Sequence, residues 1–352
     1  MIPYWLIFLF PAWFALTQLR PVQNQSIRWS GLWHTVFWLL VVMIGLRHEV
    51  GGDWGSYVRH IDEVTDVLLQ EALSQGDPGY SLLNWLAAET GLGIYFTNTV
   101  CALLFTWGLV VFCRAQPRPW LALVVAVPYL VTVVAMGYTR QGTALGLAML
   151  GLVALSDRKT LRFVVFVVLA ATFHKSAVIL MPLAILAGTK RKIWTAFWVG
   201  LSSLLFYRLM LEDSVDGFTV NYIEAQYDSS GAAIRVAMNA VPAVLFLFYR
   251  RRFVLTQAER TFWSWMSLGA LGFVVLLVIS PSSTAVDRVA LYWIPLQLFV
   301  LSRLPNAIGN PNDLNSLLVS GVVAYSALVL FVWLVFATHA TYWLPYNNLI
   351  WS

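Results

Sequence analysis

The sequence predicts an all-α polytopic membrane protein with about 12 transmembrane helices, and three observations point there. Apolar runs recur along all 352 residues, of which 59% are hydrophobic and only 11% charged. Most of the chain must therefore lie in lipid, where a helix satisfies its own backbone polar groups. The few charges also sort by side, because the connecting segments alternate between short basic ones and longer acidic ones. The cations that fall on the acidic side, finally, gather near the starts of apolar runs.

Taken in order, the spans are expected at roughly 3–19, 31–46, 94–113, 119–136, 141–156, 162–173, 176–187, 193–209, 232–249, 262–280, 289–302 and 317–337. Met1-Ile-Pro-Tyr brings no basic stretch before the first span, and no small-residue cleavage site follows it. That span is expected as a retained helix, not a signal peptide. The basic connections run from Arg20 to Arg28, Arg114 to Arg118, Asp157 to Arg162, Lys190 to Lys192 and Arg250 to Arg260, with Arg303 after them. The positive-inside bias makes these cytoplasmic and puts both termini on the outer face. By this assignment 15 of the 22 Lys and Arg are cytoplasmic and 14 of the 17 Asp and Glu are outside. The net charge of +5 is therefore a topology signal, and no nucleic-acid partner is expected.

The chain reads as one integral membrane domain over 1–352, with outer loops at 47–93 and 210–231. In the first loop, Ile61, Val64, Val67, Leu68 and Ala72 stand at helical spacing opposite Asp62, Glu63, Asp66 and Glu71. This predicts an amphipathic helix over 61–73 lying on the membrane as a lid or wall. Asp77-Pro78-Gly79-Tyr80 predicts a turn before another short helix, and Pro128 a kink within 119–136. Cys101 and Cys113 fall on one helix about 18 Å apart, too far to bridge.

No Cys/His ligand spacing, phosphate-binding glycine loop or dinucleotide fingerprint occurs, so no metal and no cofactor are expected. The chemistry is sought in seven outward cations: Arg47, Arg59, Arg140, Lys175, Arg208, Arg235 and Arg288. Arg59 and Arg208 are assigned to ordinary polar loop. Arg140 opens an apolar run, with Thr139 as the expected N-cap. A cation is disfavoured at a helix N-terminus unless an anion comes to meet both. Asp287-Arg288 and His174-Lys175-Ser176 repeat that arrangement, and a phosphate or diphosphate is the common ligand they suggest. Spans 162–173 and 176–187 hold 12 residues each, about 18 Å of helix against a hydrocarbon core of roughly 30 Å. The turn at His174 is thus expected below the outer surface, in a cavity lined by His174, Lys175, Arg140 and Arg288. In the first outer loop, glycines around Asp53 admit close approach, and Trp54 and Tyr57 offer faces for sugar rings; an ordinary interfacial turn with an aromatic-belt residue is the alternative.

Gly51-Gly52-Asp53 with Tyr57, Asp77-Pro78-Gly79-Tyr80, Thr139-Arg140-Gln141, His174-Lys175-Ser176, Asp287-Arg288 with Tyr292, and Trp343-Leu344-Pro345-Tyr346 occur in the order and spacing of the EpsG family. The chain resembles that family over nearly its whole length, and its members resemble Wzy-type polymerases of bacterial surface glycans. The resemblance implies a GT-C-like fold and an outward-facing site in the bacterial cytoplasmic (inner) membrane. It implies a polymerase that uses undecaprenyl diphosphate-linked oligosaccharide, with the bilayer and a chain-length regulator as partners. Asp53, His174, Arg140 and Arg288 are the expected catalytic residues. The expected substrate-binding residues, drawn from these motifs and from the outward cations, are Arg47, Gly52, Tyr57, Asp77, Tyr80, Gln141, Lys175, Arg235, Asp287, Tyr292 and Tyr346.

The residues themselves ask for the same chemistry: arginines to neutralise a departing diphosphate without a metal, and Asp53 or His174 as the base for an attacking hydroxyl. A lipid-linked glycan flippase is the competing class, but no internal repeat is evident and the polar groups concentrate on one face. An O-antigen ligase is disfavoured by the absence of a long outer loop. An acyltransferase leaves the arginines unexplained.

Overall fold

The computed structural model describes residues 1–22, 29–183, 197, 201, 231–280, 282–310 and 313–351. Helices α1 (Ile2–Thr17) and α2 (Gly31–Gly45) lead into the first outer loop, which carries α3 (Trp54–Asp62), α4 (Leu69–Ser74) and α5 (Pro78–Glu89). Then come α6 (Gly93–Arg114), α7 (Pro119–Ala126), α8 (Thr139–Ser156) and α9 (Thr160–Phe173), the last followed by a 3-10 turn over Lys175–Leu180. After the next described stretch begins come α10 (Ala232–Tyr249), α11 (Gln257–Ile279), α12 (Ser283–Ala290), α13 (Ile294–Ile308) and α14 (Ser316–Phe336).

Among the described residues five helical stretches are long and apolar enough to cross a membrane: Gly93–Arg114, Ala232–Tyr249, Gln257–Ile279, Ser283–Ile308 and Ser316–Phe336. Ile2–Thr17, Gly31–Gly45, Pro119–Ala135 and Thr160–Phe173 are shorter apolar helices. Among the described residues the protein is thus an all-α multi-pass bundle. The expected span 193–209 with Arg208, apart from Phe197 and Leu201, the Lys190-Arg191-Lys192 connection and outer-loop residues 210–230 lie outside the described residues.

The centre is the stretch from Pro119 to Ala135, in which every residue is buried. It is apolar all round, as a helix without a solvent or lipid face must be, and α7 packs against α1, α6, α13 and α14. Helices α6 and α8 meet where Gly108 faces Gly146; a Cβ on Gly108 would stand 1.8 Å from the Gly146 carbonyl oxygen. On the periphery Leu161, Phe248, Val278 and Leu317 are 77–84% exposed, the expected condition of a lipid-facing surface.

Two local expectations are corrected. Instead of kinking its helix to open space, Pro128 stands near the start of a π-helix, Val127–Ala135, that is packed on every side. The wider winding lets the Thr132 hydroxyl donate to the Val127 carbonyl at 2.9 Å. The amphipathic helix over 61–73 is two elements, because α3 ends at Asp62 and the chain turns through Asp66 at φ 60° before α4. Ile61, Val64 and Ala72 are buried, while Leu68 is exposed.

The segment after α14 folds back as a strap over the first two helices. The Tyr4 hydroxyl donates to the Trp343 carbonyl at 2.8 Å, the Tyr346 hydroxyl to Met43 at 2.7 Å and the Asn348 amide to Val42 at 3.1 Å. Arg47 and Asn348 form an antiparallel bridge, flanked by His48 N–H to Asn347 and Leu349 N–H to Leu46.

Candidate active site

Asp77 occupies the N-cap position of α5 but spends its carboxylate on neighbours instead of its own helix. One oxygen accepts from the Arg140 guanidinium at 3.1 Å and the other from the Lys175 backbone N–H at 3.2 Å. Three segments distant in sequence, the starts of α5 and α8 and the end of α9, are thereby drawn together. Gly79 permits this approach, since a Cβ there would stand 2.5 Å from the Thr172 hydroxyl on α9. Asp77 is 7% exposed, and burial raises its carboxyl above the ordinary value despite the opposing charges of Arg140 and Lys175. Arg140 is 36% exposed and lies over the Tyr80 ring at 5.8 Å.

Beside this pair, the His174 Nδ1 lies 2.6 Å from the Ser176 hydroxyl and 3.4 Å from that of Tyr292. The charges His174 feels are those of Arg140 and Arg288. Arg288 stacks its guanidinium 4.1 Å from the centre of the Tyr138 ring, and its carbonyl accepts from Gln141 at 2.5 Å. One residue earlier, Asp287 receives two bonds from Arg235, at 2.6 and 2.7 Å, and the two side chains are 8% and 13% exposed. This bidentate, largely enclosed pair joins α10 to α12, and its carboxylate is committed to a protein cation.

Arg47, expected on the substrate, is 0% exposed. Its guanidinium donates to the carbonyls of Ile44 and Val50, to the Asn98 amide oxygen and, at 2.6 Å, to the Thr139 hydroxyl. Tyr346 is likewise enclosed, 6% exposed, by the strap of which it is part. Thr139 is the first residue of α8 and not its N-cap, which is Tyr138, because its hydroxyl is taken by Arg47. Arg288 lies in the last turn of α12, whose N-cap is Ser282, so it does not open a helix. Lys175 opens a 3-10 turn and not an α-helix. The three-fold repeat of a cation at an α-helix start thus reduces to Arg140.

In the first outer loop Gly51 has φ 103°, and a Cβ there would stand 2.5 Å from the Met136 carbonyl oxygen. This close approach, and not one at exposed Gly52, seats the loop against the start of α8. Asp53 follows, half-buried, with its side chain accepting no hydrogen bond from the described residues. Tyr57, expected to offer a face to a sugar, is 4% exposed and packs on Tyr80 with ring centres 5.9 Å apart. Burial pushes its hydroxyl up to about 12, with Asp53 adding to the rise and Arg140, Arg288 and Arg47 opposing it.

Arg140, Lys175, His174 and Arg288 therefore assemble at one end of the bundle, all half-buried. Next to Thr139, the first residue of α8, a small void is lined by Ile44, Cys101, Ala102, Phe105, Ala135, Thr139, Gly142 and Thr143. Asn98 and Tyr138 escaped the sequence reading. Asn98, a polar residue inside the apolar run of α6, was the available signal. Among the described residues no group of three or more His, Cys, Asp or Glu comes together as a metal would require.

The family model described as the EpsG family matches residues 31–348. No curated protein and no solved structure matches the chain.

Proposed function

Because the chain belongs to the EpsG family, a family of Wzy-like polysaccharide polymerases, we propose that it extends a surface glycan by transfer from undecaprenyl diphosphate-linked oligosaccharide to a second lipid-linked repeat unit. In the reaction an acceptor hydroxyl oxygen attacks the anomeric carbon of the donor sugar, and a new glycosidic C–O bond forms. The bond from that carbon to the diphosphate breaks, its electron pair leaving on the phosphate oxygen. The hydroxyl proton passes to a protein base. Undecaprenyl diphosphate is released.

The observation that carries this reading is the gathering of Arg140, Lys175 and Arg288 from three distant segments at one half-buried end of the bundle. Preorganised cations in a site of low dielectric stabilise charge as it grows on the leaving diphosphate, so the reading needs no metal. Asp77 holds Arg140, and Arg235 with Asp287 fixes α12 beneath Arg288; both acids are positioning groups. We assign the base to Asp53, whose carboxylate makes no hydrogen bond to the described residues, and a positioning role to His174, whose Nδ1 is engaged by Ser176 and Tyr292. The charge asymmetry of the connections supports a site on the outer side of the membrane, and the family resemblance implies a single GT-C-like domain of about 12 spans in the inner membrane.

Purified protein incubated with a lipid diphosphate-linked repeat unit in the presence of EDTA should yield a ladder of polymer and free lipid diphosphate. Transbilayer movement of the same lipid without any ladder would replace this reading by a flippase.

A further inference from the structure

The turn Gly51–Asp53 is flanked on both sides by accessible aromatic rings, drawn from three parts of the chain. On one side stand His48, Trp54 and Tyr95. The His48 Nδ1 is 2.5 Å from the Tyr95 hydroxyl, and the Trp54 ring centre is 5.8 Å from that of His48 and 6.1 Å from that of Tyr95. All three are half-buried, and the buried Arg47 guanidinium sits 5.9 Å from the Trp54 ring, supporting it from within. On the other side the strap presents Tyr342, 55% exposed, stacked on His339 with ring centres 6.2 Å apart and a 25° tilt. The Gly51 N–H donates to the Tyr342 carbonyl at 2.9 Å, and a Cβ on Gly52 would stand 3.8 Å from the Tyr342 ring. Asp53 follows Gly52 in this turn and directly precedes Trp54, its half-buried side chain making no hydrogen bond to the described residues.

We propose that these rings are the acceptor-glycan subsite, with sugar faces resting on Trp54 and Tyr95 before Asp53 and on Tyr342 beyond it. The proposal rests on the polymerase reading above. A polymerase must hold two glycans at once, and the cations around Asp77 account only for the diphosphate of the donor. A pyranose offers an apolar face of C–H groups and an edge of hydroxyls, which match an aromatic ring beside a carboxylate and an imidazole. An interfacial aromatic belt is the competing account of exposed Trp and Tyr. Rings in a belt are placed singly toward lipid headgroups, whereas here His48 is hydrogen-bonded to Tyr95, Trp54 packs on both, and the rings flank a polar turn whose carboxylate makes no hydrogen bond to the described residues.

The probe is the free oligosaccharide released by mild acid from the host's lipid-linked pool, which carries neither lipid nor diphosphate. Its binding to detergent-purified protein is followed by saturation-transfer NMR, alongside polymerisation with the intact lipid-linked substrate. Trp54→Ala and Tyr342→Ala should each weaken binding of the free oligosaccharide by about tenfold or more. Trp54→Phe, which keeps a ring, should retain most of it. Binding of undecaprenyl diphosphate should be unchanged, and an unchanged melting temperature shows that the variants are folded. If the wild-type protein builds polymer and both alanine variants bind the oligosaccharide as it does, the subsite is wrong while the polymerase reading stands. If the wild-type protein builds no polymer, the polymerase reading itself fails.

Discussion

A carboxyl as enclosed as that of Asp77 is costly to ionise, and its cation partner compensates only in part, because Arg140 is 36% exposed and screened by solvent. The carboxyl is accordingly held above its ordinary 3.8. The folded state then binds that proton more tightly than the unfolded chain, so its contribution to stability is complete below 3.8 and is lost as pH rises through the folded value. The melting temperature of the wild-type protein should therefore fall relative to that of Asp77→Asn as pH is raised from below 3.8 toward neutrality; parallel curves would contradict the assignment. For the base, Asp53→Asn should lower the chemical step by about 10²–10⁴-fold with lipid-linked substrate still bound. His174→Ala should cost less and leave the pH profile of turnover unmoved. A larger loss from His174→Ala than from Asp53→Asn would exchange the two roles.

At the level of elements, Arg47 shows what a buried cation does when it meets no carboxylate. It ties the end of α2 to α6 through Asn98 and to α8 through Thr139, and the strap closes over it. Removing the guanidinium strands the carbonyls of Ile44 and Val50 and two side-chain acceptors. Arg47→Ala is therefore expected to destabilise by on the order of 3 kcal/mol, and Arg47→Lys, which cannot reproduce four directed bonds, by somewhat less. Thermal unfolding in detergent checks this, and a variant as stable as wild type would return Arg47 to the substrate. The sequence displayed Arg47 but not its burial, because burial depends on Asn348 and Tyr346, some three hundred residues away. Arg140 at a helix start was legible from local spacing alone. The position of Arg288 late in α12 was not, since Ser282 begins that helix earlier than the apolar run suggests. The break near Asp66 escaped for a similar reason: periodicity continues through it while the backbone turns into a left-handed conformation.

For the molecule as a whole, charge asymmetry and apolar runs were sufficient to read a multi-pass helical bundle, because lipid leaves few alternatives to a helix. The sidedness they imply is testable by labelling. Thr341→Cys should react with a membrane-impermeant maleimide added outside intact cells, and Arg251→Cys only after permeabilisation. Native Cys101 and Cys113 are buried and contribute no background. Reversed labelling would put the site in the cytoplasm, where the proposed reaction has no place. The central claim is that cations gathered from α8 and α12 carry the departing diphosphate. It is tested most directly by measuring single-turnover polymerisation and substrate binding on the same folded Arg140→Ala and Arg288→Ala proteins. Each should lose about 10²–10³ in rate, with Lys restoring only part of it, since a point charge cannot reproduce a planar fork. Wild-type rates and full polymer length from both alanine variants would contradict the account and leave these arginines as structural partners of Asp77 and Tyr138.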